Sequence, residues 1–179
     1  NFKFESNYIL IHPHKTVNWG NVAVNVRVWI NLINEILKKT DLKIILLGSK
    51  DEKERADLIF NNINSRHNRV YNFTGKTSFS ELNYLIKNCF SIITGDTGIM
   101  HIAYQFNIKI FALFTFSDKE IYAPPKNTTV IFNKILKCQP CISTSNDGCD
   151  NYPPVCFNNY ACSKTINSSE IFNLFYKYY

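Results

Sequence analysis

The chain has 179 residues, enough for one domain of ordinary size, and with 45% hydrophobic and 15% aromatic residues it can fill a core. Its formal charge of +6 suits an anionic partner, but short clusters such as Lys38-Lys39 and Lys50–Arg55 form no basic stripe, and no nucleic-acid motif is visible. No apolar run reaches the roughly 18 residues that span a bilayer. No signal peptide is visible, and the opening Asn-Phe-Lys-Phe without an initiator Met reads as a piece of something longer.

Along the chain, strand and helix patterns alternate. Tyr8–Ile11 reads as a strand and Val22–Leu37 as an amphipathic helix. Lys43–Leu47 is a strand ending at Gly48, and Ser49 with Glu52 forms a capping box that opens a helix to about Ile63. Val70–Phe73 is a short strand ending at Thr74-Gly75, and Ser78 with Glu81 opens a second capped helix to about Asn88. The strand Phe90–Ile93, a helix from about Ile99 to Phe106 and the strand Ile108–Phe114 follow. Such alternation predicts an α/β fold, a Rossmann-like parallel sheet with helices on both faces. Past Pro124-Pro125 the pattern fades. Thr128–Phe132 reads as a last strand, residues 137–163 are rich in Cys, Asn and Pro, and Ser168–Tyr178 reads as a terminal helix. The expected division is 1–136 for the sheet domain, 137–163 for a Cys-rich loop within it, and 164–179 for the closing helix.

Ligands of parallel sheets lie beyond the carboxyl ends of the strands. His12-Pro13, Gly48, Gly75, the segment Gly95–Gly98 and Thr115 all fall on that rim. The most informative stretch is Thr94–Ala103, Thr-Gly-Asp-Thr-Gly-Ile-Met-His-Ile-Ala. A strand, a Gly-containing turn and a helix start turn backbone N–H groups toward an anion, here around Thr97, Gly98, Ile99 and Met100. Asp96, Thr97 and His101 add a carboxylate, a hydroxyl and an imidazole. Plainer roles compete with this one. Asp96 can cap the next helix, Gly95 and Gly98 can serve only the turn, and His101 can be a partly buried polar residue.

With these residues in hand, the chain resembles the family 9 glycosyltransferases, the ADP-heptose:lipopolysaccharide heptosyltransferases, over about Ile9 to Ile166. It resembles their C-terminal, donor-binding half, one domain of the two-domain GT-B architecture. The strongest part runs from Ile92 to Phe114, matching the family's apolar strand, Asp-Ser/Thr-Gly-Pro-x-His-x-Ala turn and following strand. Ile11-His12-Pro13, Leu46-Leu47-Gly48 and Phe73–Ser78 leading into Glu81-Leu82 occur in the same order. Departures are His14 where the family has Gly, Ile99 in place of Pro, and Thr115 where Gly is common. The Lys-x-Trp-Pro signature is only echoed, in Asn18-Trp19-Gly20 and Arg27-Val28-Trp29.

The resemblance implies a nucleotide diphosphate sugar donor, ADP-heptose before others. It implies a glycan, lipid-linked or protein acceptor, and an N-terminal domain that supplies the general base. Transfer would require no cofactor, and nucleic acid is not an expected partner. The implied donor contacts are Asp96, Thr97, Gly98, Ile99, Met100 and His101, joined by Glu52 at the ribose. Thr74 and Gly75, with Lys76 and Thr77, would flank the base or phosphate, and Lys50 is a lesser contact. Glu52 has a plainer role too, completing the capping box with Ser49. The implied setting is the cytoplasm, with the periphery of the inner membrane as an alternative. A non-catalytic nucleotide- or phosphosugar-binding module, and a metal-stapled interaction domain with a purely structural turn, are the competing readings.

Six cysteines are present, and Cys89 reads as a buried apolar residue at a helix end. The other five stand at 138, 141, 149, 156 and 162. Cys138-Gln-Pro-Cys141 with later thiols suits tetrahedral zinc or iron, free thiols, or disulfides in an oxidising compartment. The favoured set is Cys138, Cys141, Cys156 and Cys162, with Cys149 as substitute, in a structural site that takes no part in transfer.

Overall fold

A computed structural model describes residues 7–13, 23–64, 68–125, 129–133, 136–141, 156 and 158–179. His14, Asn18-Trp19-Gly20, Val22, Thr128 and Cys149, all used above, lie outside the described residues.

Six strands form one parallel sheet: β1 (Tyr8–His12), β2 (Lys43–Leu46), β3 (Val70–Asn72), β4 (Ser91–Gly95), β5 (Lys109–Phe114) and β6 (Thr129–Asn133). Their spatial order is β3-β2-β1-β4-β5-β6, and every neighbouring pair is parallel. This is the expected Rossmann-like arrangement, and the order reverses between β1 and β4. Side chains of a strand alternate between faces, and both faces are covered here. Ile9, Ile11, Ile44, Leu46, Ile93, Phe111 and Leu113 join one apolar cluster. Tyr8, Leu10, Ile45, Ile92, Ile110, Ala112 and Phe114 join the other. Burial on two sides explains why the strands read as continuous apolar runs and not as alternating ones.

Helices α1 (Val26–Lys39), α2 (Lys53–Asn61) and α7 (Ser168–Tyr176) cover the first face. Helices α3 (Phe79–Asn88) and α4 (Gly98–Tyr104) cover the second. Trp29, Leu32, Ile33 and Ile36, at helical spacing on α1, are completely buried. Each such side chain contributes about 1.5–3 kcal/mol of transfer free energy. From the terminal helix, Phe175 packs edge-on against Phe111 of β5 at 5.5 Å between ring centroids, and Ser169 Oγ donates to Glu35 of α1 at 3.1 Å.

Several boundaries differ from the sequence reading. α1 starts at Val26 because Asn25 caps it, its side chain accepting from Arg27 N at 2.9 Å. β1 runs one residue further than expected, to His12, because His12 pairs with Thr94 of β4. The helix expected from Ser49 to Ile63 begins as a 3-10 turn over Lys50–Glu52 and ends at Asn61. α4 ends at Tyr104, and the chain reverses through Asn107 at φ 51°. Two short helices were not foreseen: α5 (Lys119–Tyr122), capped by Asp118, and α6 (Ala161–Lys164) inside the Cys-rich segment. One turn carries too few residues to show a period.

Candidate functional site

The strand order reverses between β1 and β4, where His12 is the last residue of β1 and pairs with Thr94. Its ring is 4% exposed, and both ring nitrogens face partners. Nδ1 lies 3.2 Å from Thr94 Oγ1 and 3.3 Å from Thr97 Oγ1, and the two threonine hydroxyls are 3.2 Å apart. Nε2 lies 3.2 and 3.1 Å from the two carboxylate oxygens of Glu52. A carboxylate only accepts, so in the neutral ring the proton sits on Nε2 and Nδ1 accepts from a threonine hydroxyl.

Glu52 comes from the loop after β2. Its Oε2 accepts from Ser49 N at 2.8 Å, so it fills its capping role while its carboxylate lies against His12. Arg55, one turn along α2, donates Nε to Pro13 O at 2.8 Å and a second N–H to Val24 O. Burial lowers the Arg55 pKa, and the Glu52 charge beside it opposes that shift. Space around Glu52 is tight. A Cβ on Gly48 would sit 2.8 Å from Glu52 Oε2 and 3.0 Å from Thr74 Cγ2. The next rim loop closes over this one, with Gly75 N donating to Gly48 O at 2.9 Å. Gly75 has φ 70°, and a Cβ there would meet the Lys50 backbone at 3.1 Å. Glycine is the residue that tolerates both conditions.

The turn after β4 differs in part from its sequence reading. Thr97, not Asp96, holds the cap position of α4, and no side chain fills the cap. The Thr97 hydroxyl faces His12 and Thr94 instead. Asp96 is thus released from the plainer role of helix cap. Its carboxylate stands 3.9 Å from His101 Nε2, and both side chains reach solvent, at 21% and 54% exposure. α4 is seven residues long, and the first-turn amides of Gly98 and Ile99 lie beyond the reach of its own carbonyls. Met100 does not share in this. Its N–H donates to Thr97 O at 3.0 Å and its side chain is buried in the second apolar cluster. Space is open beside Gly98, with nothing within 4 Å of a Cβ built there.

The remaining rim positions are less directly involved. Thr74 is buried and its Oγ1 has no partner among the described residues. Lys76 turns back to Asn72 O at 2.8 Å. Thr115 is buried, and its carbonyl accepts from the Gln139 side chain. His12 and Thr94 were placed on the rim and in the turn by the sequence but were not counted among the donor contacts. The signal for His12 was its place at the end of an apolar run, opposite the turn.

The Cys-rich segment attaches to the end of β5. Besides the Gln139–Thr115 bond, Cys141 N donates to Phe116 O at 2.8 Å. Cys138, Cys156 and Cys162 carry free thiols. Burial pushes the Cys162 thiol up to about 11, and nearby Cys141, Cys156 and Cys138 push it further the same way. Two sulfurs already accept N–H donors, Cys156 from Tyr160 N at 3.0 Å and Cys138 from Asn158 Nδ2 at 3.3 Å. The donor chemistry is that of a thiolate site. Even so, among the described residues no group of three or more His, Cys, Asp or Glu side chains is arranged to hold a metal ion. Cys89 is buried away from this cluster and its thiol is pushed up to about 12, as expected of an inert core residue.

The sequence model of glycosyltransferase family 9 (heptosyltransferase) matches residues 23–149. The chain belongs to glycosyltransferase family 9. Among curated relatives, lipooligosaccharide heptosyltransferase 2 of Haemophilus influenzae is 41% identical over 66 residues, 37% of this chain and 19% of that protein. The solved Escherichia coli ADP-heptose lipopolysaccharide heptosyltransferase II superposes with a TM-score of 0.76 at 18% identity, over 98% of this chain and 47% of that one. The dodecameric iron-containing heptosyltransferase TibC, solved with ADP-D-beta-D-heptose, superposes with a TM-score of 0.67 at 12% identity, over 99% of this chain and 46% of that one. The chain therefore spans less than half of the family 9 proteins it resembles. Among the described residues no helix is long and apolar enough to cross a membrane.

Proposed function

We propose that this chain is the donor-binding domain of an inverting glycosyltransferase that moves a sugar, heptose first among candidates, from a nucleotide diphosphate to a glycan or lipopolysaccharide acceptor. The observation that carries the reading is the convergence at the β1/β4 divide of Glu52, His12, Thr94 and Thr97, with Asp96 and His101 at the mouth. A carboxylate past a strand end is how related folds hold a ribose diol, and Glu52 occupies that position. The Gly98 and Ile99 amides and the His101 imidazole would meet the pyrophosphate. Asp96 would accept from sugar hydroxyls.

In the transfer step an acceptor hydroxyl attacks the anomeric carbon and loses its proton to a base. The bond from that carbon to the phosphate oxygen breaks, and the nucleoside diphosphate leaves with the electron pair. Donors held in place around the diphosphate stabilise the charge that builds there. Asp96 lies on the donor side, so the base would come from the N-terminal domain. The work would take place in the cytoplasm or at the inner-membrane surface. We assign the Cys138, Cys141, Cys156 and Cys162 segment a stapling role. Zinc or iron there would have to draw the four sulfurs together, and would hold the segment without entering the transfer step.

The test uses the intact protein with ADP-heptose. Transfer or slow donor hydrolysis is expected, and Asp96→Ala should lower kcat/KM by about 100-fold or more. Nucleotide binding without turnover would replace this reading with a non-catalytic module. An absence of binding to ADP, UDP and GDP sugars at millimolar concentration would end both.

A further inference from the structure

We propose that His12 is a positioning residue that aims the Glu52 carboxylate at the nucleotide ribose, and so sets the preference of the site for a ribonucleotide over its deoxy analogue. The inference rests on the donor-site reading above and adds a residue to it.

Three observations support this. First, His12 is fixed before any ligand arrives. It is a strand residue, 4% exposed, in register with Thr94. Its Nδ1 is occupied by the Thr94 and Thr97 hydroxyls, so the ring cannot rotate about its long axis without breaking those contacts. Second, Nε2 is nearly equidistant from the two Glu52 oxygens, at 3.2 and 3.1 Å. A donor placed between both oxygens fixes the direction in which the carboxylate points. Third, the surroundings restrict the alternatives. Ser49 N holds Oε2 at 2.8 Å, and Gly48 leaves no room for a Cβ beside that oxygen. His12 and Ser49 fill the inner edge of the carboxylate, so a ribose hydroxyl would donate to the outer side of Oε1, and a swinging Glu52 would lose that geometry.

The same ring reaches the anion side. With the proton on Nε2, Nδ1 takes a hydrogen from a threonine hydroxyl, which orients Thr97 at the mouth of the turn. Ribose contact and diphosphate turn are thereby linked through one imidazole.

The test measures binding of ADP and 2′-deoxy-ADP by calorimetry to the intact protein and to four variants. Wild type should prefer ADP. Glu52→Gln should lose that preference. His12→Phe keeps a ring of similar volume but offers no donor, and ADP should bind about tenfold more weakly with the preference gone. His12→Gln, which can place an amide N–H near the Nε2 position, should regain most of it. In the Glu52→Gln background, His12→Phe should cost nothing further. A His12→Phe protein that still prefers ADP as strongly as wild type overturns the inference and leaves the donor site standing. If His12→Phe does not fold, His12→Gln with the lost preference of Glu52→Gln would overturn it as well. A wild type that binds neither nucleotide would overturn the donor-site reading itself.

Discussion

The rim at the β1/β4 divide and the Cys-rich segment beside β5 make opposite uses of the same fold. At the rim, each site residue stands at the end of a strand or within a few residues of one, so the ladder and the buried core behind it set its position. His12 is held by pairing with Thr94, and Glu52 is held by the capping box that starts the next helix. Among its described residues the Cys-rich segment has no ladder. Its described residues hold to the end of β5 through Gln139 and Cys141. Elements that rest on few buried contacts open most easily. The rim is therefore expected to respond to mutation in function, and the segment in stability.

The largest contrast should come from Asp96→Ala. It lowers kcat/KM as stated above, yet the side chain is partly exposed and caps nothing, so Tm should stay within about 2 °C of wild type. Cys162→Ser should do the reverse and lower Tm by about 5 °C, because it puts a hydroxyl where a 6% exposed thiol sat. A chelator sharpens this arm. Loss of Tm on treatment with phenanthroline supports a metal staple, whereas an unchanged Tm with four thiols open to titration ends the metal reading. A Tm loss in Asp96→Ala equal to that in Cys162→Ser would break the comparison.

A smaller effect should appear at Gly48. Gly48→Ala pushes a methyl against the held Glu52 oxygen and Thr74, and the KM for donor should rise about tenfold with a modest fall in Tm. The smallest should come from Ser78→Ala, which removes the cap of α3 and should lower Tm by about 2–3 °C at neutral pH. Glu81 accepts from the Ser78 amide and hydroxyl, and these bonds hold its carboxyl below the usual range. Because the folded value is the lower one, its contribution is present above the ordinary carboxylate pKa and is lost as pH falls through the folded value. The gap in Tm between wild type and Ser78→Ala should therefore close in acid.

The strands were legible because burial on both faces makes them apolar runs of four to six residues, as in Lys43–Leu46 and Lys109–Phe114. Both capping boxes were legible because a Ser and a Glu three residues apart satisfy each other locally. The role of Asp96 was only half legible. Whether it or Thr97 caps α4 depends on where the backbone leaves β4, and sheet pairing through Gly95 fixes that point. Met100 read as part of the turn, but its place as the third residue of α4 turns it into the core.

By itself the sequence determined the α/β alternation, the rim on which ligand-binding residues gather and the Gly-Asp-Thr-Gly turn. Each of these rests on interactions between residues close in the chain. Tertiary structure decided that His12 joins Glu52, 40 residues away, to Thr94 and Thr97, 82 and 85 residues away. That junction depends on the parallel register of β1 with β4 and of β1 with β2, which no local pattern encodes, because the strands are brought together by the core they jointly bury.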